Sequence, residues 1–540
     1  MAVLLASILG PLLPTKLHAQ KAPKLVVGIT VDQMRWDYLT RFQNRWSPQG
    51  GFHRMWNEGF SCNNTQIMYL PSFTACGHAG IYTGSVPAIH GITGNNWWDN
   101  YKQEYVYCTE DDSVKTVGST TDHGMMSPVN LLTTTICDEL RLARNFRNKT
   151  VGISLKDRGG ILPAGHNANA AYWYDPEAGQ WITSTYYMQE LPGWVKKFNT
   201  QARVDSLYKL DWHLLRPRET YVQSISDRSG YDVRAFGTPE RKFPYGLKKN
   251  AGTNYSIIVA TPHGNTLTSE FAKAAVLGEQ LGTDSITDFL AVSFSSTDYI
   301  GHAYGPNSLE VEDTYLRLDQ DLGHLFDFLD KQVGKGEWLA FLSADHGVAH
   351  VPGFLKFNKM PGGSIDEEKL GKQLNEALKQ HFGVDNLIKG IMNMQVIFNV
   401  ELIKKTKKLG QSDVADVCIS WLEAQPGISR AIRLEDVARS PLPDYVASQV
   451  KNGYFPARSG HIQIFYKSGY IEGFANGGST HGTGFAYDTH IPLLWYGWGI
   501  KQGHSARRVS MADIAPTLAA LLNIQEPSGS IGNLIYELFN

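Results

Sequence analysis

Four continuous apolar runs, each about as long as a buried β-strand, constrain the fold of this 540-residue chain more than any other feature. The first, at residues 24–32 (KLVVGITVD), ends in a carboxylate. The same shape recurs at residues 150–156, 288–294 and 338–345. Continuous rather than alternating hydrophobicity is typical of strands that are buried on both faces of a parallel sheet.

Helical periodicity separates these runs, most clearly at residues 310–332 and 511–522, and a further apolar run follows at 491–497. Strands that alternate with helices predict an α/β fold, with a mostly parallel central sheet flanked by helices. Two long stretches interrupt the alternation, at about 165–275 and 353–475. We interpret them as insertions that decorate a single catalytic domain spanning residues 20–540.

The composition excludes several classes of protein. Hydrophobic residues make up 42% of the chain and charged residues 19%, which excludes a disordered or fibrous protein. Lys and Arg total 50 against 52 for Asp and Glu, for a net charge of -2. A protein that binds nucleic acid by neutralising phosphates is usually basic, so we expect no nucleic-acid partner.

The N-terminus carries an export signal. Residues 2–13 are almost wholly apolar, and the small residue Ala19 follows shortly after. This predicts a signal peptide at residues 1–19, a mature chain that begins at Gln20, and a periplasmic location. No cysteine follows the cleavage point and no later apolar run reaches membrane length, so we expect no membrane anchor. Export would permit one or two disulfides among the cysteines at positions 62, 76, 108 and 137.

Carboxylates and imidazoles gather at the ends of the predicted strands. The carboxyl ends of parallel strands share one crevice, so these side chains are expected to converge. Three aspartates with three histidines suit two zinc ions, because imidazole and carboxylate oxygen are both zinc ligands. A two-metal site is also what phosphoryl transfer uses to hold the attacking and leaving oxygens. The six residues are Asp32, Asp298, His302, Asp345, His346 and His481.

A nucleophile is expected near Pro71, which with Ser72 is typical of a helix start and puts Thr74 in the first turn. The helix dipole and its free amides favour an anionic phosphate there, and a bound metal would lower the pKa of a hydroxyl group. On the residues alone, Ser72 and Cys76 remain rival nucleophiles.

Six short motifs together resemble the alkaline phosphatase superfamily, and within it the PafA-type, phosphate-irrepressible alkaline phosphatases. They are VDQMRWD at 31–37, TACGH at 74–78, GITGN at 91–95, SLKDR at 154–158, STDYIGH at 296–302 and SADHG at 343–347. The resemblance runs from about residue 23 to the C-terminus, with the motifs in the expected order.

The resemblance implies a role for each site residue. Asp32, Asp345 and His346 would bind one zinc ion, which activates Thr74. Asp298, His302 and His481 would bind the other, which stabilises the leaving oxygen. Thr74 would form a covalent phosphothreonine that water then hydrolyses. Asn95, with the adjacent Asn96 as the alternative, would hydrogen-bond a phosphoryl oxygen. The resemblance also implies a monomer.

Lys156 and Arg158 indicate the substrate class. Residues two apart at a strand end point to the same side, so both cations are expected to reach one ligand. An ammonium and a guanidinium match the two charges of a phosphate monoester dianion, whereas a diester carries one charge fewer. Related diesterases resemble the chain at the metal ligands but lack this pair. We therefore predict an alkaline phosphatase that acts on small phosphate monoesters.

Alternative functions remain open. A phosphodiesterase or nucleotide pyrophosphatase of the same superfamily would keep the zinc ligands without needing Lys156 and Arg158. A non-catalytic zinc- or phosphate-binding protein would not need Thr74. A sulfatase would need a Cys-x-Pro-x-Arg or Ser-x-Pro-x-Arg string near Thr74, and none occurs. A cofactor-independent phosphoglycerate mutase would be cytosolic and use a serine, so the export signal counts against it.

Overall fold

The structure of the protein is a computed structural model that describes residues 22–225, 242–474 and 477–539. The predicted signal peptide, residues 1–19, lies outside the described residues. None of the helices in the described ranges combines the length and apolar character needed to cross a bilayer. All five cysteines are free and buried in this structure, including the four that were candidates for disulfides.

A ten-stranded sheet organises the molecule. Its five central strands are parallel to one another, and every residue of these strands is buried. Four of them are the strands that the continuous apolar runs predict, and the fifth is Ala170–Asp175. In spatial order the ten strands are Gly503–Ser505, Phe60–Cys62, Leu493–Gly497, Trp338–Ser343, Leu25–Val31, Asp288–Phe294, Thr150–Ser154, Ala170–Asp175, Gln180–Ser184 and Thr116–Val117.

The last apolar run forms the strand Leu493–Gly497, and this strand is antiparallel to Trp338–Ser343. Ser343 pairs with Leu493, and Leu339 pairs with Gly497. The residues that precede Leu493 therefore lie at the same edge of the sheet as the residues that follow the parallel strands. His481 reaches the predicted crevice because this strand runs in the opposite direction.

Helices cover the sheet, which confirms the predicted α/β class. The helical periodicity at 310–332 and 511–522 corresponds to Leu309–Leu329 and Ile514–Leu522. The other helices of eight or more residues that pack around the main sheet are Gly51–Glu58, Thr74–Thr83, Ile136–Ala143, Asp157–Ala164, Pro262–Gly278 and Ser296–Tyr304.

The first stretch predicted as an insertion, about 165–275, contributes to the main sheet. Ala170–Asp175 pairs with Thr150–Ser154 in parallel, and Gln180–Ser184 continues the sheet. The helix Pro262–Gly278 then packs against Leu309–Leu329. The main sheet therefore extends into this stretch through Ala170–Asp175 and Gln180–Ser184.

The second stretch, about 353–475, has an antiparallel sheet and an apolar core of its own. We call this apolar cluster the insertion core; it includes Leu374, Leu378, Val396, Cys418 and Ile464. The four strands of its sheet, in spatial order, are Ile388–Met392, Gln395–Phe398, Ile462–Tyr466 and Ile428–Arg433. The helices in this stretch are Pro352–Phe357, Glu367–Phe382, Val400–Lys405, Gln411–Glu423 and Asp444–Gly453.

Candidate active site

Thr74 is the first residue of the helix Thr74–Thr83, which confirms the predicted first-turn position. All ten residues of this helix are buried. Thr74 Oγ1 lies 3.2 Å from His346 Nε2. The rival hydroxyl of Ser72 instead donates to the Thr483 carbonyl at 3.0 Å, and burial raises the pKa of the Cys76 thiol. Of the three rivals, Thr74 is the one with a histidine ring within reach of its side chain.

The six predicted metal ligands come together at the carboxyl edge of the parallel strands. Asp32 follows the strand Leu25–Val31, and Asp345 and His346 follow Trp338–Ser343. Asp298 and His302 lie one turn apart on the helix Ser296–Tyr304, so both side chains share one helical face. Five of the six side chains are nearly inaccessible to solvent: Asp32, Asp298, Asp345, His346 and His481.

Two groups of these residues are close enough to hold metal ions, with ligand atoms within 4.8 Å of one another. One group is Asp298, His302 and His481, the set that the resemblance implies. The other group joins Asp32 and His346 with Asp298 again. Asp345, expected in the second set, is nearby, with its Oδ2 3.5 Å from His346 Nε2. The Asp298 carboxylate therefore lies between the two groups.

The three histidines are oriented as metal ligands usually are. In each ring Nδ1 hydrogen-bonds a backbone carbonyl, which directs Nε2 towards the aspartates. Such a contact fixes the tautomer that leaves the Nε2 lone pair free for a metal. The carbonyls belong to Ser479 for His302 at 2.7 Å, Gly347 for His346 at 3.0 Å and Ser72 for His481 at 2.8 Å.

Two carboxylate oxygens also fit metal binding. Asp32 Oδ1 and Asp345 Oδ2 are buried and accept no hydrogen bond within the described chain. Burial raises the pKa of Asp32, and the neighbouring Asp345 carboxylate raises it further. Buried carboxylates close to one another are costly unless a cation or donor compensates them. Oxygen and imidazole donors with these contacts are chemically suited to zinc.

Lys156 supplies one compensating charge inside the site. Its Nζ donates to Asp32 Oδ2 at 2.7 Å and to Asp298 Oδ2 at 2.6 Å. Burial disfavours the charged ammonium, but the two carboxylates outweigh this effect and raise the pKa of Lys156. In the same way, the charges of His302 and Lys156 overcome burial and lower the pKa of Asp298.

The prediction that Lys156 and Arg158 lie on one side of a strand end is wrong. The strand ends at Ser154, Lys156 is the N-cap of the helix Asp157–Ala164, and Arg158 is the second residue of that helix. Strand alternation does not apply because the chain has already turned into a helix. Arg158 donates to the Tyr107 hydroxyl at 2.9 Å, and that hydroxyl donates to Asp157 Oδ1 at 2.6 Å.

Asn95 contacts the first turn of the Thr74 helix, because its Oδ1 accepts from the Ala75 amide at 3.0 Å. Asn96, the alternative, begins the strand Asn96–Asp99 and is exposed. The geometry therefore brings Asn95, not the Asn96 side chain, into contact with the helix that begins at Thr74.

Three residues that the sequence reasoning assigned no role also contact the site. Gln33 hydrogen-bonds Asp298 and Asp345, His78 lies 3.3 Å from Asp345 Oδ2, and Tyr107 bonds Arg158. The spacing of His78, four residues after Thr74, was a usable signal because it puts both on one helical face. No comparable spacing marks Gln33 or Tyr107.

Comparison with known proteins identifies the family. The model of the type I phosphodiesterase / nucleotide pyrophosphatase family matches residues 26–407, well over half of the chain. The chain belongs to this family. It is 50% identical to alkaline phosphatase PhoV of Synechococcus elongatus, over 96% of this chain and 93% of that protein. It is 48% identical to alkaline phosphatase PafA of Elizabethkingia meningoseptica, over 98% of this chain and 97% of that protein.

A solved structure supports the same assignment. The crystal structure of wild-type PafA matches with a TM-score of 0.94 at 48% identity, covering 96% of this chain and 99% of that one. The resemblance to PafA-type alkaline phosphatases stated from the motifs is therefore confirmed, together with the fold.

Proposed function

We propose that the protein is an exported alkaline phosphatase that hydrolyses phosphate monoesters through a phosphothreonine on Thr74 at a two-zinc site. The observation that carries the proposal is the position of the Thr74 hydroxyl. It lies at the start of a buried helix, 3.2 Å from His346 Nε2 and beside two groups of metal-binding side chains. A binding protein would need the metal ligands but no hydroxyl at this point.

The metal ligands divide into two sets in this proposal. Asp32, Asp345 and His346 would hold one zinc ion, and Asp298, His302 and His481 would hold the second. When bound, the two ions would supply positive charge that favours ionisation of the Thr74 hydroxyl and stabilises the oxygen of the leaving alcohol. The carbonyl contacts of the histidines keep their rings in place for this role.

Thr74 acts as the nucleophile. Its Oγ1 loses its proton and forms a bond to phosphorus while the bond from phosphorus to the alcohol oxygen breaks, and the leaving alcohol takes up one proton in exchange for the one that Thr74 lost. A water molecule then attacks the same phosphorus, the bond to Thr74 Oγ1 breaks, a proton from the water restores the Thr74 hydroxyl, and inorganic phosphate is released. The free amides of the first helical turn and the helix dipole stabilise the phosphoryl oxygens.

Asn95, Lys156 and Arg158 bind the phosphoryl group. Asn95 is held by the Ala75 amide beside the nucleophile, so its side-chain N–H groups remain to donate to a phosphoryl oxygen. Lys156 and Arg158 supply the charges that match a dianion. Lys156 already bridges Asp32 and Asp298, which fits a role in balancing charge between the carboxylates and the substrate.

The setting of the reaction is part of the proposal. Cleavage after Ala19 would release a monomeric mature enzyme into the periplasm, where it liberates inorganic phosphate from small organic monoesters. We propose no membrane anchor and no nucleic-acid partner.

A phosphodiesterase or nucleotide pyrophosphatase is the second candidate. The observation that favours it is the family model, whose description names those two activities. Two relatives, PhoV at 50% identity and PafA at 48%, are named alkaline phosphatases, and this favours monoesters.

The deciding experiment compares kcat/KM for an aryl phosphate monoester with that for a methyl aryl phosphate diester on the zinc-loaded mature protein. We expect a large preference for the monoester that Lys156→Ala and Arg158→Ala reduce, because a diester lacks the second charge. Lys149→Ala is the matched control, since this cation lies just before the same strand at its opposite end and pairs with Glu279. A preference for the diester would instead support the phosphodiesterase.

A further inference from the structure

Gln33 follows the proposed metal ligand Asp32 and is almost completely buried, with 2% of its surface exposed. Its backbone has a φ of +66°, in the left-handed region that residues other than glycine rarely adopt. Such a conformation persists only where the surrounding contacts hold it, and it often marks a functional position. In Gln33, contacts with two aspartates of the site hold this conformation.

The backbone and the side chain of Gln33 each contact one of the other aspartates in the site. The backbone N–H donates to Asp345 Oδ1 at 3.0 Å. The side-chain Nε2 donates to Asp298 Oδ1 at 2.6 Å. One residue thus contacts a carboxylate from each proposed zinc site, through two different groups that mutation can separate.

The side-chain contact fixes how the Asp298 carboxylate is turned. Oδ1, which accepts from Gln33, lies 3.1 Å from His302 Nε2 and 3.8 Å from His481 Nε2. Oδ2 lies on the other side and accepts from Lys156 Nζ at 2.6 Å. Without the Gln33 donor, a contact that holds this orientation is lost. Oδ1 would then be free to turn away from the two histidines.

Gly301 leaves the room that the Gln33 carboxamide occupies. A Cβ atom at Gly301 would lie 1.8 Å from Gln33 Oε1 and 2.9 Å from Gln33 Cδ, so any side chain there would displace the carboxamide. Gly301 lies between Asp298 and His302 on the helix Ser296–Tyr304. The glycine and the glutamine are therefore a complementary pair.

We propose that Gln33 is a positioning residue whose carboxamide orients Asp298 and so strengthens binding of the zinc ion held by Asp298, His302 and His481. This inference rests on the proposed two-zinc function. It makes a specific prediction, because the backbone contact to Asp345 survives substitution of the side chain. Loss of the carboxamide should weaken the binding of one zinc ion and leave the affinity for the other unchanged.

The test is a zinc titration of the metal-free protein, followed by competition with a chelator. Wild-type protein is expected to bind two zinc ions in two resolved steps. Gln33→Met keeps the length of the side chain but removes the donor, and we expect it to weaken one step by about 10- to 100-fold. That step should be the one lost in His302→Ala. The other step should keep its wild-type affinity.

Two glycine variants provide a test and a control. Gly301→Ala should weaken the same step as Gln33→Met, because it displaces the carboxamide without altering a ligand. Gly371→Ala is the matched control, since it too is a buried glycine within a helix, but a Cβ there meets only ordinary contacts at 3.5 Å or more. We expect Gly371→Ala to bind both zinc ions like the wild type.

A second measurement separates positioning from a general loss of structure. At saturating zinc, Gln33→Met should lower kcat/KM more for an alkyl phosphate than for an aryl phosphate. An alkoxide is the poorer leaving group and depends more on a correctly oriented centre. A purely structural defect would lower both rates by the same factor.

The outcomes separate a failure of the positioning role from a failure of the proposed metal centre. If wild-type protein binds two zinc ions and Gln33→Met weakens neither or weakens both equally, the positioning role is overturned while the proposed function stands. If wild-type protein does not bind two zinc ions, the proposed metal centre is overturned and the positioning role falls with it.

Discussion

The carboxyl edge of the main sheet buries charged side chains, whereas the insertion core buries apolar ones. The edge gathers three aspartates, three histidines and Lys156, nearly all of them buried. The insertion core is a cluster of apolar side chains, while ion pairs on the helix Glu367–Phe382, such as Lys372 with Glu368, lie at the surface. Apolar burial stabilises the insertion without further help.

The charged side chains clustered at the sheet edge do not gain stability from apolar burial. Burying charges costs free energy that mutual attraction often fails to offset, so a cluster of this kind persists where function requires it. The two regions should therefore respond differently to perturbation. Changes at the edge should affect catalysis and metal binding as well as stability, whereas changes in the insertion core should affect stability alone.

Metal removal should show the largest effect. Chelation of zinc is expected to reduce monoester hydrolysis to background and to lower the melting temperature, and added zinc should restore both. A ligand at 100 times its Kd stabilises the folded state by about 2.7 kcal/mol, so two ions contribute about twice that. Calorimetry with parallel activity assays measures both effects. A chelated protein that retains full activity would show that the charged edge does not depend on metal ions for catalysis.

Lys156→Met should have the next largest effect. The variant keeps the apolar stem but leaves Asp32 and Asp298 without their shared cation. Breaking a buried ion pair costs about 3–5 kcal/mol, so chemical denaturation of the metal-free variant should show a loss of this size. Because zinc supplies replacement charge, the loss should shrink in the zinc-loaded protein. An equal loss with and without zinc would show that Lys156 does not balance the same carboxylates as the metals.

The sequence predicted the elements that depend on local pattern. The four continuous apolar runs became parallel strands, and the carboxylates that follow them reached one edge. The strands Phe60–Cys62, Gly503–Ser505 and Thr116–Val117 escaped prediction because runs of two or three residues carry no periodicity. The antiparallel direction of Leu493–Gly497 was not predicted either, because the direction of a strand depends on the path of the chain between strands.

Within the site, the sequence predicted residue types better than their contacts. Lys156 meets partners 124 and 142 positions away, and Gln33 meets Asp298 at a distance of 265 positions. No local pattern encodes such pairs, because tertiary packing creates them. The helix that starts at Asp157 also replaced the strand geometry expected for Arg158. The family resemblance named the ligand residues, whereas the orientation of Asp298 emerged only from the structure.

Leu374→Ala tests whether the insertion core affects stability without affecting catalysis. Leu374 is fully buried in the insertion core, on the helix Glu367–Phe382. Removing a buried leucine side chain typically costs about 2–5 kcal/mol, which chemical denaturation would measure. We expect kcat/KM below the unfolding transition to stay near the wild-type value. Lys379→Ala, an exposed position on the same helix, is the control and should change neither quantity. A parallel fall in activity would show that the insertion helps to form the site.

The smallest effect is expected from Glu367, a carboxyl group buried beside the insertion core. Burial, followed by the charge of Glu472, raises the pKa of Glu367 from 4.5 to about 7, although it accepts hydrogen bonds from Tyr466 Oη and the Met394 amide. Between these two values the folded protein keeps a proton that the unfolded chain has released. Its contribution to stability is therefore full below about pH 4.5 and is lost as the pH rises through about 7.

Glu367→Gln cannot titrate, so its stability relative to the wild type should increase between pH 5 and pH 8, by on the order of 1–3 kcal/mol. Urea denaturation of both proteins across this range measures the difference. Monoester kcat/KM at a fixed pH should remain unchanged, because this carboxyl group belongs to the insertion and hydrogen-bonds Tyr466 and Met394 there. Stability curves that stay parallel across the range would mean that Glu367 is ionised in the folded protein at all of these pH values. The difference between the sheet edge and the insertion core would then be smaller, because the insertion would also carry a buried charge without a metal ion to balance it.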